Sequence, residues 1–183
     1  MAWIIALAVV LIIGLWVGRT YNRLVKERNR VDNAWGQIEV QLQRRYDLIP
    51  NLVATVKGYA SHEADTFEQV TRARAASASA STPAEQAQAD NFLTSALRQL
   101  FAVAEAYPEL RASENFASLQ GDLSDTEDKI AISRQIYNDT VLTYNTSIQQ
   151  VPTSLVAAIT GFTPRETYDA TDLADTAPDV SFE

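Results

Sequence analysis

The first eighteen residues, Met1 to Gly18, carry no charged side chain, and the next twelve, Arg19 to Arg30, carry five basic residues against one acidic one. Wound as an α-helix, the apolar run is about 27 Å long, close to the roughly 30 Å of a bilayer's hydrocarbon core. This commits the start of the chain to a transmembrane helix. Cationic side chains beside a span resist translocation, so Arg19, Arg23, Lys26, Arg28 and Arg30 predict a single-pass protein of the cell inner membrane, with the N-terminus outside and everything after Gly18 cytoplasmic. A cleaved secretory signal would need positive residues before the apolar core and a small-x-small site after it, and neither pattern is present. Trp3 and Trp16 stand near the two ends of the span, where indole rings favour the interface.

The remaining chain, about 165 residues, is the length of one soluble domain with a sizeable core. It contains no cysteine, which removes disulfides, thiolate metal sites and a cysteine nucleophile from consideration. The net charge of -8 is unevenly placed. Residues 1–80 carry ten basic and seven acidic side chains, residues 81–183 five and sixteen. An acidic second half disfavours nucleic acid, which needs a clustered positive face. The basic cluster after the span suits anionic lipid headgroups instead.

From Tyr21 to Ala60, apolar or aromatic residues recur in steps of three or four: Leu24, Val31, Trp35, Ile38, Leu42, Tyr46, Ile49, Val53 and Val56. One step of seven spans Arg28, whose aliphatic stem can cover the stripe. The pattern predicts an amphipathic helix. Pro50 interrupts it chemically, since proline lacks a backbone donor and clashes with the preceding turn, and Asp47 is placed to cap a new helix there. The apolar phase nevertheless runs through Pro50 without a slip. A kinked continuous helix and a break between two helices both satisfy the sequence.

Ala73 to Ser81 is almost entirely alanine and serine and offers little to bury. Thr82, Pro83 and Glu85 then form a helix start, with threonine capping, proline in the first position and glutamate reaching back. That helix is expected to run to about Tyr107, burying Phe92, Leu93, Ala96, Leu97, Leu100, Phe101 and Ala104, and to stop at Pro108. Ser113 caps another start. Its stripe continues from Phe116 through Leu123, Ile130, Tyr137, Tyr144 and Ile148 to Pro152, giving a helix of about 38 residues with the 3.5-residue period of coiled-coil packing.

No run shows the two-residue alternation of a strand. The predicted fold is therefore all-α, with a transmembrane anchor over 1–20, an up-and-down bundle of three or four long helices over 21–151, and a tail over 152–183. The tail has a short apolar helix near Leu155 to Ile159 and then, from Glu166, six acidic and no basic side chains, a composition of extended or disordered chain. Val180 and Phe182 are candidate apolar anchors for a partner or for the bundle.

Ala34-Trp35-Gly36-Gln37-Ile38, Gln41-Leu42-Gln43-Arg44-Arg45-Tyr46-Asp47-Leu48-Ile49-Pro50-Asn51-Leu52-Val53 and Val56-Lys57-Gly58-Tyr59-Ala60-Ser61-His62-Glu63 resemble the LemA family. So do Tyr107-Pro108-Glu109-Leu110, Asn115-Phe116, Thr126-Glu127-Asp128-Lys129-Ile130-Ala131, Arg134, Tyr137-Asn138 and Asn145, in the same order. The resemblance implies a membrane anchor followed by a helical bundle, with no established catalytic activity. Relatives are often encoded near membrane metalloproteases, which points to envelope maintenance.

Candidate chemistry is sparse. His62 is the only histidine, and on a helix it would share a face only with Asp65, which is too few ligands for a zinc or di-iron site. No G-x-S-x-G elbow and no phosphate-binding glycine loop occurs. No catalytic residue, metal or cofactor is therefore expected. Arg44, Arg45, Asp47 and Pro50, with Glu127, Arg134, Tyr137 and Asn138 on the longest helix, form a candidate structural or interaction network; if Glu127 meets Arg44, Arg45 or Arg134, the pair fixes helix register. Gly14 and Gly18 form a small-xxx-small pair suited to anchor self-association. The chain is expected to work by binding, as a scaffold or adaptor on membrane protein partners, or as a regulatory or substrate-delivery partner of a membrane protease.

Overall fold

The computed structural model describes residues 1–168, and these contain α-helices and no strand. Six helices follow in order: α1 (Ala2–Tyr59), α2 (Ala64–Ser79), α3 (Pro83–Glu105), α4 (Pro108–Arg111), α5 (Glu114–Gln149) and α6 (Thr153–Thr160). The all-α expectation holds, and so do the three long helices read from periodicity. Residues 169–183, including Val180 and Phe182, lie outside the described residues.

The chain divides into two compact units. The first contains residues 1–38 and 133–167. Leu24, Val31 and Ile38 of α1 are buried in it, as are Tyr137, Val141, Tyr144 and Ile148 of α5 and Val156 and Ala157 of α6. Trp35 meets Tyr137 with ring centroids 5.4 Å apart. Arg28 lies 5.2 Å from the centre of the Phe162 ring, so its place in the seven-residue gap is filled by a cation–π contact. After Gly161, whose left-handed backbone (φ 76°) ends α6, the chain is extended. It is held to α5 by Tyr144 donating to the Thr163 carbonyl at 3.0 Å, Tyr137 to the Glu166 carbonyl at 2.8 Å, and Asn145 bonding both the N–H and the carbonyl of Arg165.

The second unit contains residues 39–132 together with the end of the described chain at Tyr168. Its core joins Ile49, Leu52 and Val56 of α1, Phe67, Val70 and Ala73 of α2, Leu93, Leu97 and Leu100 of α3, Leu110 of α4, and Phe116 and Leu123 of α5. The alanine-serine stretch is helical up to Ser79, and Ala73 is fully buried. Small side chains there let α2 lie closely on α3, against which it packs. The Thr82 capping box forms as read, and Ser113 accepts from the Phe116 N–H at 3.5 Å. Phe92, expected inside, is exposed. The buried positions of α3 include Gln86, Asp90, Leu93, Leu97, Leu100 and Ala104, a four-three alternation that places Phe92 off the seam.

Helix α1 passes through Pro50 unbroken. A proline at 50 leaves the carbonyl of Tyr46, four residues earlier, without its helical donor. Arg74 of α2 supplies one: its Nε–H donates to the Tyr46 carbonyl at 3.1 Å, and its guanidinium stacks 3.5 Å from the centre of the Tyr46 ring. Pro50 itself is exposed, so its ring displaces no core side chain.

Candidate functional site

Leu24, Val31, Ile38, Arg45 and Leu52 follow one another at intervals of seven along α1 and are all buried. The fourth member of this apolar series is therefore an arginine. Its side chain is 1% exposed and faces two carboxylates. It donates through Nη2 to Asp90, a buried residue of α3, and through Nη1 to both carboxylate oxygens of Glu127 on α5, at 3.1 and 3.2 Å. Burial pulls the guanidinium toward its neutral form, but the charges of Asp90 and Glu127 and their hydrogen bonds outweigh that, and the net shift is upward. The group therefore holds its proton at any physiological pH and ties three helices together through charge-assisted bonds.

Around this core the other sequence-predicted residues take separate places. Arg44 reaches Asp122 at 3.1 Å with both side chains well exposed, an arrangement worth little in stability. Asp47 caps nothing and accepts from Gln43 one turn back in the same helix. Glu127 pairs with Arg45 across 82 residues of sequence. Arg134, Tyr137 and Asn138 fall in the first unit, where Tyr137 packs on Trp35 and holds the Glu166 carbonyl. His62 is exposed in the turn between α1 and α2. Gly14 and Gly18 have no atom within 4 Å of where a Cβ would stand.

Three contributors escape a reading of the sequence. Asp90 looks like an ordinary acidic residue on an exposed helix face until the four-three spacing of Gln86, Leu93 and Leu97 is noticed. Arg74 is hidden in low-complexity sequence. Tyr168 sits within an acidic tail yet is buried in the second unit, its hydroxyl 3.5 Å from the Gln86 carbonyl.

Beside the charged core, a groove of about 350 Å³ opens between α3 and α5, floored by Leu97, Phe101 and Leu123 and edged by Thr94, Arg98 and Glu127. Glu127 thus faces both the buried arginine and an accessible groove. Among the described residues no group of three or more histidine or acidic side chains is placed to hold a metal ion.

At the other end of the chain, every residue of 1–19 is exposed, and one window of α1 there is long and apolar enough to cross a membrane. Protein packing begins at Thr20, which is buried.

An unpacked apolar leader running into packed helices defines an all-helical protein of the membrane-associated class. The LemA family pattern matches residues 34–182, and the chain belongs to the LemA family. Magnetosome protein MamQ of Magnetospirillum gryphiswaldense is 28% identical over 182 residues, covering 85% of this chain and 67% of that protein. Magnetosome protein MamQ 1 of Paramagnetospirillum magneticum gives the same identity and coverage. Protein LemA of Metamycoplasma hominis is 27% identical over 147 residues, 78% of this chain and 65% of its own length.

Proposed function

We propose that this protein is a non-enzymatic, membrane-anchored scaffold or adaptor that presents its helices on the cytoplasmic face of the cell inner membrane and serves envelope maintenance through protein–protein contacts. The observation that carries the reading is the uncharged, wholly exposed stretch of α1 up to Gly18, followed by five basic residues within the next twelve, where the helix begins to pack at Thr20. A solvent-facing apolar surface of that length matches the hydrocarbon core of a bilayer, and the basic flank sets its direction. Membership of the LemA family, with magnetosome proteins among the relatives, supports a place at a membrane.

The bundle's ionisable groups favour structure over turnover. Among the described residues the deeply buried cation, Arg45, is paired with two carboxylates, and the single histidine stands exposed in a turn. Anchor self-association through Gly14 and Gly18 fits the same reading, because both positions are open to a close neighbour.

Crosslinking in native membranes followed by mass spectrometry tests the proposal. Recovery of membrane or membrane-proximal proteins with no dependence on a protease supports the scaffold. Exclusive recovery of a membrane protease, with altered substrate turnover when this chain is deleted, moves the role to regulation or substrate delivery. Release of the full-length chain by alkaline carbonate overturns both.

A further inference from the structure

The twelve residues from Val151 to Phe162 contain no charge. Helix α6 at their centre turns Thr153, Val156 and Ala157 inward. It leaves Val151, Leu155 and Ile159 in the open at 83%, 62% and 86% exposure. Leu155 and Ile159, one turn apart on α6, lie on one face, and Val151 stands exposed in the turn just before the helix. An apolar ridge of this kind costs solvation free energy if it stays in water.

Its position within the first unit says what covers it. Arg23 donates to the Thr153 hydroxyl at 3.1 Å, and Tyr21 meets the Phe162 ring at 5.7 Å. Tyr21 and Arg23 follow the last apolar residue of the leader, Gly18, by three and five residues, a rise of about 5–8 Å. The headgroup layer on each side of a bilayer is roughly as thick. The two ends of α6 are therefore fastened to the part of α1 that lies among headgroups, beside the exposed cations Arg19, Arg23 and Lys26.

We propose that α6 is a second membrane contact: its Leu155 and Ile159 ridge, with Val151 in the turn before it, seats in the interface of the same leaflet that the leader enters, while the neighbouring arginines and lysine engage anionic headgroups. The proposal rests on the reading of residues 1–18 as lipid-embedded. Two attachments, one crossing and one lying in the interface, fix how the first unit meets the membrane, which a single span does not.

The absence of cysteine allows a clean test on the full chain. Single cysteines at Ile12, Leu142, Leu155 and Ile159 are labelled with the environment-sensitive fluorophore NBD. Each protein is reconstituted into vesicles of phosphatidylcholine and phosphatidylglycerol, then quenched by shallow nitroxide lipids or by iodide on both sides of the membrane. Leu142 on α5 is as exposed as Leu155, at 65%. It lies five residues along α5 from Tyr137, which packs on Trp35, so it stands clear of the headgroups. The expected result is lipid quenching at Ile12, Leu155 and Ile159, with iodide quenching at Leu155 and Ile159 at least threefold weaker than at Leu142. Lipid quenching at Ile12 alone, with Leu155 and Ile159 as open to iodide as Leu142, overturns the second contact and leaves the anchor standing. Shielding of Leu155 and Ile159 from both quenchers assigns the ridge to a protein surface, and overturns it too. Iodide access at Ile12 removes the anchor and the inference together.

Discussion

Arg74 donates its Nε–H to the Tyr46 carbonyl, the acceptor that Pro50 deprives of its helical partner. The contact explains why α1 continues where its sequence contains a helix breaker. It also makes the two positions interdependent. Arg74→Met in the natural background should destabilise the second unit by about 1 kcal/mol, the cost of a hydrogen bond lost at a partly buried acceptor. In a Pro50→Ala background the new alanine supplies an N–H to the Tyr46 carbonyl, and the same change should cost at least about 0.5 kcal/mol less. Denaturant melts of the full chain in detergent, followed by circular dichroism, measure both. Equal costs in the two backgrounds would separate Arg74 from Pro50.

The Arg45, Asp90 and Glu127 cluster makes a different demand. Asp90→Leu leaves a guanidinium buried with only a half-exposed carboxylate to face, and should cost about 3–5 kcal/mol. Arg45→Met combined with Asp90→Leu removes both buried charges from an otherwise apolar seam, and should be less costly than either single change. The same denaturant melts complete the double-mutant cycle, and simple additivity in it would show that the pair is not coupled.

At the start of α3, Glu85 accepts from the Ser81 N–H at 2.8 Å, the Ser81 hydroxyl at 2.8 Å and the Thr82 N–H at 3.2 Å. These bonds, led by the one from the Ser81 N–H, hold its carboxyl below the usual glutamate range. A depressed carboxylate contributes stability above its unfolded pKa and loses it as pH falls through the folded value. The stability gap between the natural chain and Glu85→Gln should therefore be present near neutrality and narrow below about pH 4.3, the ordinary glutamate value, as read from urea midpoints across that range. Thr82→Ala should cost about 1 kcal/mol.

Alkali should act on the first unit. Desolvation raises the Tyr137 and Tyr144 hydroxyls above the ordinary tyrosine value, and each donates a bond that its phenolate cannot make. A raised folded value means stability that is complete below the unfolded pKa of about 10 and lost as pH climbs through the folded pKa. Ultraviolet titration should find two tyrosines ionising late, together with loss of helix signal. In a Tyr137→Phe, Tyr144→Phe double variant that alkaline loss should shrink, at a cost of about 1 kcal/mol per hydrogen bond removed.

Gly14→Leu with Gly18→Leu meets no steric resistance within the chain. If anchors pair through these glycines, crosslinking in membranes should fall severalfold while bundle stability stays unchanged. Undiminished crosslinking would assign any self-association to another surface.

Much of this architecture is legible from residue spacing. The stripe of α5 and the capping box of α3 are local signals, written within a turn or a heptad, and both appear where expected. What spacing cannot reveal depends on partners distant in sequence. Asp90 is 45 residues from Arg45, and a carboxylate in a seam reads as an interruption until the cation opposite is known. Pro50 leaves two outcomes open because the residue that rescues its helix is Arg74, on another helix. The exposed Phe92 shows the converse: one aromatic inside an apolar run pulls the expected face off the seam that Gln86 and Asp90 in fact continue.

The chain from Thr163 to Glu166 is gripped by Tyr144, Asn145 and Tyr137 through main-chain atoms, and the side-chain pair that Arg165 makes with Asp32 stands in water. Mutational tolerance is therefore lopsided. Thr163, Arg165 and Glu166 are free to drift, because any residue with an ordinary peptide unit offers the same handholds. The three α5 positions that reach across are not.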